Sequence, residues 1–151
     1  MKRFAFALQP VLDHRKRIED EKQLVVAVRA RALDEAEREL ARLNEEFRRH
    51  AAMLRDSHGK LETRELQCIY AHLQFLDRCI VAQIRIVAER RVALDRARTE
   101  LLEARKEKKV VEKLKERRRE AHALEEQRVE QKELDDGNAR RYGRVQLGGT
   151  P

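Results

Sequence analysis

Cys68, His72 and Cys79 come closest to metal chemistry, because thiolates and imidazoles ligate zinc and the three share one face of an expected helix. Cys68 and His72 stand one turn apart and could chelate a common ion. Cys79 lies eleven residues beyond Cys68, about 16 Å of helical rise, out of reach of that ion and too far for a disulfide. Two ligands remain where zinc usually takes at least three from protein, so these residues are expected to flank a helix pair as reduced thiols and an imidazole, with no metal and no cofactor. Catalysis has no firmer footing. The chain has no nucleophile elbow, Gly-rich phosphate loop or HExxH, and a pair of helices encloses no cavity from which water is excluded. A non-enzymatic protein is expected.

Charge is the other chemistry on offer. From Arg105 to Arg119 there are nine basic and three acidic residues, and from Glu120 to Asp136 two basic and seven acidic, so a block of +6 is followed by one of −5. The whole chain carries +7, which points to an acidic partner or nucleic acid. Against nucleic acid, the basic block has no interleaved aromatics for stacking, and Glu107, Glu112 and Glu116 would repel phosphates. A bland solvated face and an acidic protein surface both stay open. A third feature is the segment "CIYAHLQFLDRCIVAQIRIV", 68 to 87, where Tyr70, Phe75, Val81 and Ile86 fall off the expected core stripe and leave apolar surface for another protein.

The elements that must carry these residues follow from a seven-residue repeat. Leu33, Leu40, Phe47, Leu54 and Leu61 recur at sevens, with Ala36 and Leu43 between them; Leu66, Leu73, Ile80, Val87, Leu94 and Leu101 do the same, with Ile69, Leu76, Ala97 and Ala104. Such stripes make a coiled coil. A third series, Phe4, Val11, Ile18 and Val25, meets the first with a step of eight at Leu33, which predicts an irregular stretch near 25 to 33. Gln83 and Arg90 sit at core-type positions, as register-setting or snorkelling side chains. Past Leu101 a thin stripe through Val110, Leu114, Ala121 and Leu124 is expected, shifted from the earlier register.

Gly59 is the only glycine before residue 137, and it divides the two long series inside "SHGKLET". A glycine there closes one helix and Thr63 with Glu65 opens the next. The expected fold is all-α: two long helices forming an antiparallel coiled-coil hairpin, the second longer than the first. A single domain over 1–141 is expected, with helix one about 3–57, a turn about 58–63 and helix two about 64–136, followed by a flexible tail at 142–151. One continuous helix dimerising in parallel is the alternative. In the hairpin residue 4 faces about residue 116, so that the chain after about 118 overhangs. No stretch approaches the roughly 18 apolar residues of a membrane span, and no signal-peptide core begins the chain, so a cytoplasmic protein is expected.

Three stretches resemble the FliJ family of flagellar type III export proteins. They are "FAFALQPVLDHRKRIEDEK", with Phe4, Leu8, Leu12, Arg15 and Glu19; "YAHLQFLDRCI", with Tyr70, Leu73, Leu76 and Ile80; and "EKLKERRREAHALEEQRVEQKELDDGNARR", whose "EQKELDD" is similar to the family's closing pattern. Their order over about 4 to 141 carries the resemblance; Gly137 departs from it. The resemblance implies a stalk similar in fold to the two-helix coiled coil of the rotary ATPase gamma subunit. It implies binding to the hexameric flagellar export ATPase, promotion of its ring assembly, and contacts with the export-gate membrane protein and export chaperones at the cytoplasmic face of the flagellar base. The end holding both termini is expected to enter the ring, through Arg105, Lys108, Lys109, Lys113, Arg117 and Arg118 with Gln131 and Asp135 near the tip. Tyr70, Leu73, Leu76 and Cys79 are expected to meet the gate. A coiled-coil scaffold or a nucleic-acid-associated rod is the other reading of the same residues.

Overall fold

Pro10 decides where the first helix begins. A helix started at residue 3 would hold this proline in its interior, where it has no N–H to give the Phe6 carbonyl. In the computed structural model, which describes residues 3–57 and 59–147 and side chains through Tyr142, helix α1 instead runs Gln9–Asp56. The Gln9 N–H donates to the Phe6 carbonyl at 3.0 Å and Pro10 sits harmlessly in the first turn. Residues 3–6 are therefore extended chain laid ahead of the helix, not its first turn.

At the other end Gly59 takes φ +81°, the left-handed conformation that glycine adopts without penalty. Ser57 closes α1 by donating its N–H to the Met53 carbonyl at 3.1 Å, and Lys60 N–H returns to the Ser57 carbonyl at 2.9 Å. Helix α2 then runs Thr63–Leu147. The Glu65 carboxylate accepts from the Glu62 N–H at 3.1 Å, half of a capping box with Glu62 as the cap, so the start lies one residue before the position Thr63 was expected to hold. Helix α2 also passes through Gly137 where an end near 136 was expected. A Cβ at Gly137 would meet open space, and one helical glycine costs only about 1 kcal/mol. The helix thus takes in residues 142–147 of the expected flexible tail; residues 148–151, and His58 of the turn, lie outside the described residues.

The two helices pair antiparallel as a hairpin, α2 the longer, with no strand among the described residues. Contacts divide the chain into two compact units, one made by the chain up to Arg17 together with that from Arg105 onward, the other by Ile18–Ala104. In the first unit the Phe4 ring meets His122 edge-on with centroids 5.5 Å apart, Lys115 Nζ donates to Gln9 Oε1 at 2.8 Å, and Arg15 pairs with Glu107. The overhang therefore starts near residue 123, later than about 118, because residues 3–8, ahead of α1 and outside any helix, reach along α2. In the second unit Lys22 pairs with Glu100 at 2.6 Å, Arg91 with Glu37 at 2.7 Å, and Gln83 Nε2 donates to the Ala36 carbonyl at 3.0 Å. Gln83 thus acts as the polar seam residue its position suggested, while Arg90 is exposed.

Burial corrects the register at both ends of the repeat. In α1 the inward positions keep a strict step of seven from Leu12 through Glu19, Val26, Leu33, Leu40, Phe47 and Leu54, with Leu12 3% exposed. No extra residue interrupts the seam at 25 to 33. Two of the four members of the expected third series face outward, Val11 at 41% and Val25 at 40% exposure, while Phe4 and Ile18 are half-buried; neighbouring inward places are taken in part by Arg15, Glu19 and Lys22. In α2 the series Val87, Leu94, Leu101 likewise continues in step through Lys108, Lys115 and His122, all half-buried. The expected shifted stripe does not form, since Val110 is 69% and Leu124 57% exposed and Ala121 is also outside; only Leu114 is half-buried. Long side chains at these places lay their methylenes on the seam and keep their charged heads wet.

Three outcomes test this account. Gly59→Ala forces a side chain into the left-handed region and lowers stability by about 1 kcal/mol, read as a lower Tm by circular dichroism. Leu76→Ala, at a site 2% exposed, costs roughly 2–5 kcal/mol, whereas Val110→Ala stays within about 0.5 kcal/mol; equal effects would disprove the register. The Lys22 ammonium holds the Glu100 carboxyl below its usual value of 4.5, and the same hydrogen bond raises Lys22 above 10.5. The pair's contribution is complete between those values, fades as pH falls through the lowered carboxyl value, and fades again as pH rises through the raised ammonium value. The Tm difference between the natural chain and Lys22→Met is therefore flat from pH 4.5 to 10.5 and shrinks outside that window.

Candidate functional site

The +6 block lies on the first unit, and its cations face two ways. Arg105, Lys109, Lys113 and Arg117 recur at every fourth residue and are exposed, so one flank of α2 presents guanidinium and ammonium groups in a row. Lys108 is half-buried on the seam, its ammonium 3.9 Å from Glu112. Arg118 stands over the Phe6 ring at 5.9 Å and Lys115 at 6.0 Å, so buried Phe6 lies beneath two cations. Each contact of this kind is worth about 0.5–1 kcal/mol near a surface, and together they pin the residues ahead of α1 against the basic block. Glu107 is turned to Arg15 and Glu112 to Lys108, which draws two of the block's three acids into internal pairs. Such a row suits carboxylate-rich protein surfaces, which arginine engages through two parallel hydrogen bonds.

Beyond His122 the helix changes character. Gln131 and Asp135 stand one turn apart and exposed, and every described side chain from Gln127 to Tyr142 is exposed. Within this stretch Arg128 pairs with Glu125 at 3.8 Å, one turn away on the same helix.

The apolar segment of α2 belongs to the second unit. Tyr70, Val81 and Ile84, at 56%, 58% and 52% exposure, lie along one flank of the seam, because eleven residues are close to three turns. Phe75, Cys79 and Ile86 lie along the opposite flank. The four residues expected to act together at a gate are therefore separated: Tyr70 on one flank, Cys79 half-buried on the other, Leu73 half-buried in the seam and Leu76 in the core between them. On the Cys79 flank a shallow groove of about 460 Å³ lies among Arg42, Glu46, His72, Phe75 and Gln83. Arg42 grips both oxygens of Glu39 at 2.7 and 2.9 Å and reaches Glu46 at 3.0 Å, which lowers the Glu39 carboxyl and raises the guanidinium.

Sequence reasoning passed over Phe6, Gln9 and Lys115, which fasten the start of the chain to α2, and Glu46 and His50, which join His72. Two of the four phenylalanines falling within the first six residues, just ahead of a helix-delaying proline, was the available signal for the first group. Glu46 and His50 stand one turn apart on α1, but nothing along that helix signals that His72 of α2 meets them.

The fold has a solved counterpart. The structure of a YscO homologue, CT670, from Chlamydia trachomatis superposes with a TM-score of 0.63 at 22% identity, over 97% of this chain and all of that one, a likeness of fold. No curated protein matches the chain significantly. No described helix is long and apolar enough to cross a membrane. The order of the motifs, the antiparallel hairpin with its longer second helix and a match to the family described as Flagellar FliJ protein over residues 4–147 agree, and the chain belongs to the FliJ family.

Proposed function

We propose that the protein is a non-enzymatic stalk of the flagellar type III export apparatus, one that binds the hexameric export ATPase, promotes its ring assembly and links it to the membrane-embedded gate and to export chaperones. The observation that carries this reading is the exposed row Arg105, Lys109, Lys113 and Arg117, followed on the same helix by a stretch from Gln127 to Tyr142 whose side chains are all exposed. In a chain of this family, such a surface fits an acidic ring interior, approached by electrostatic attraction and held by many exchangeable contacts. Lys108 and Arg118 serve this surface from the seam side, Arg118 while covering Phe6. Gln131 and Asp135 make the polar contacts nearest the tip.

The gate contact falls to the apolar flanks of α2. Tyr70 and Cys79 present surface there, Leu73 borders it from the seam, and Leu76 supports them from the core. The protein works at the cytoplasmic face of the flagellar base and meets the membrane only through its partners.

The test is charge reversal at two exposed cations. Lys113→Glu with Arg117→Glu abolishes stimulation of the export ATPase while the far-ultraviolet spectrum keeps its helical amplitude. Stimulation equal to that of the natural chain, at matched helicity, would remove the ring contact from this surface.

A further inference from the structure

We infer that Glu46, His50 and His72 form a binding site for a transition-metal dication of the zinc class, a bridge between α1 and α2. The ligand atoms of the three side chains all lie within 4.8 Å of one another. His72 Nε2 stands 3.5 Å from Glu46 Oε1. Two ligands of a tetrahedral zinc with bonds of about 2.1 Å stand about 3.4 Å apart, so this pair needs almost no movement to share an ion. All three residues are half-buried, leaving a side from which an ion enters and where water completes the coordination.

The surroundings set the chemistry of each ligand. His50 Nδ1 lies 2.9 Å from the Glu46 carbonyl oxygen, which can only accept, so Nδ1 carries the proton and Nε2 the lone pair. A ligating histidine commonly donates its second nitrogen to a backbone carbonyl in this manner. The His72 ring is held edge-on to His50 with centroids 4.5 Å apart and is stacked near Phe75 at 25°, which orients its Nε2 toward the carboxylate. Arg42 occupies Glu46 Oε2 at 3.0 Å, leaving Oε1 for the ion as a single-oxygen ligand. Two imidazoles and one carboxylate suit zinc and its neighbours in the first transition row, and fit poorly with calcium or magnesium, which take oxygen alone.

An ordinary histidine–carboxylate ion pair would engage one imidazole. Here a second imidazole from α1 completes the group, one turn after Glu46 on the same face. The Arg42 charge opposes a cation, and this makes the proposal separable from a structural cluster: removing that charge tightens metal binding.

The experiment titrates the full chain carrying Cys68→Ser and Cys79→Ser, which removes competing thiols, with zinc chloride by calorimetry. One zinc per chain is expected. Affinity falls at least tenfold in His50→Ala and in His72→Gln, and rises several-fold in Arg42→Gln. Cobalt(II) in the same chain gives the visible absorption of a four-coordinate ion, and His72→Gln abolishes it. Circular dichroism of the metal-free variants shows that they remain helical; His72→Gln, the smaller change, serves if His50→Ala unfolds. Binding weaker than millimolar, or equal in the parent and in the helical histidine variants, overturns the site.

Discussion

A pair of helices has one seam, and each residue on it is shielded from water by a single partner. There is no second layer to correct a misplaced stripe. Register is therefore the constraint on which the rest depends: Leu76, Val87, Leu94 and Leu101 are buried because each falls a whole number of heptads or half-heptads from the last. Gly59 sets the phase between the two stripes by reversing the chain within a few residues. Once that phase is set, the charged flanks, the apolar flanks and the cluster around Glu46 have no freedom to be elsewhere.

Polar residues on the seam give up burial energy and return specificity. Gln83, donating to the Ala36 carbonyl, satisfies itself in one register and not in one slipped by a turn. Arg15 with Glu107, and Lys22 with Glu100, are exposed pairs whose energy is small. Their service is to fill inward places without adding apolar surface that would remain sticky where packing is thin.

The hairpin, the turn at Gly59 and the leucine-rich middle were legible because large apolar residues at strict sevens leave few other arrangements. The ends were misread for the converse reason. Val11 and Val25 imitate a heptad one residue out of step, while neighbouring inward places hold Arg15, Glu19 and Lys22, which hydropathy scores as surface. The same substitution of lysine for leucine at 108 and 115 hid the continuing seam of α2 behind the decoys Val110 and Leu124. For the candidate site, the block of positive charge was legible as composition, but which of its cations face outward, and the pinning of Phe6 under Lys115 and Arg118, required knowing which residues face one another. The cluster at Glu46 was invisible for that reason as well, since spacing along one helix says nothing of what the other contributes.

The stretch of α2 beyond His122 has a thermodynamic consequence. From Gln127 to Tyr142, sixteen helical residues with exposed side chains, interrupted by Gly137, are close to the length at which an isolated helix is barely stable in water. Their helicity is then a shallow equilibrium, and any surface that receives them must spend part of its attraction on ordering them. A contact made by such a segment is broad in area for its affinity, and it forms and dissolves without unfolding the packed helices that carry it.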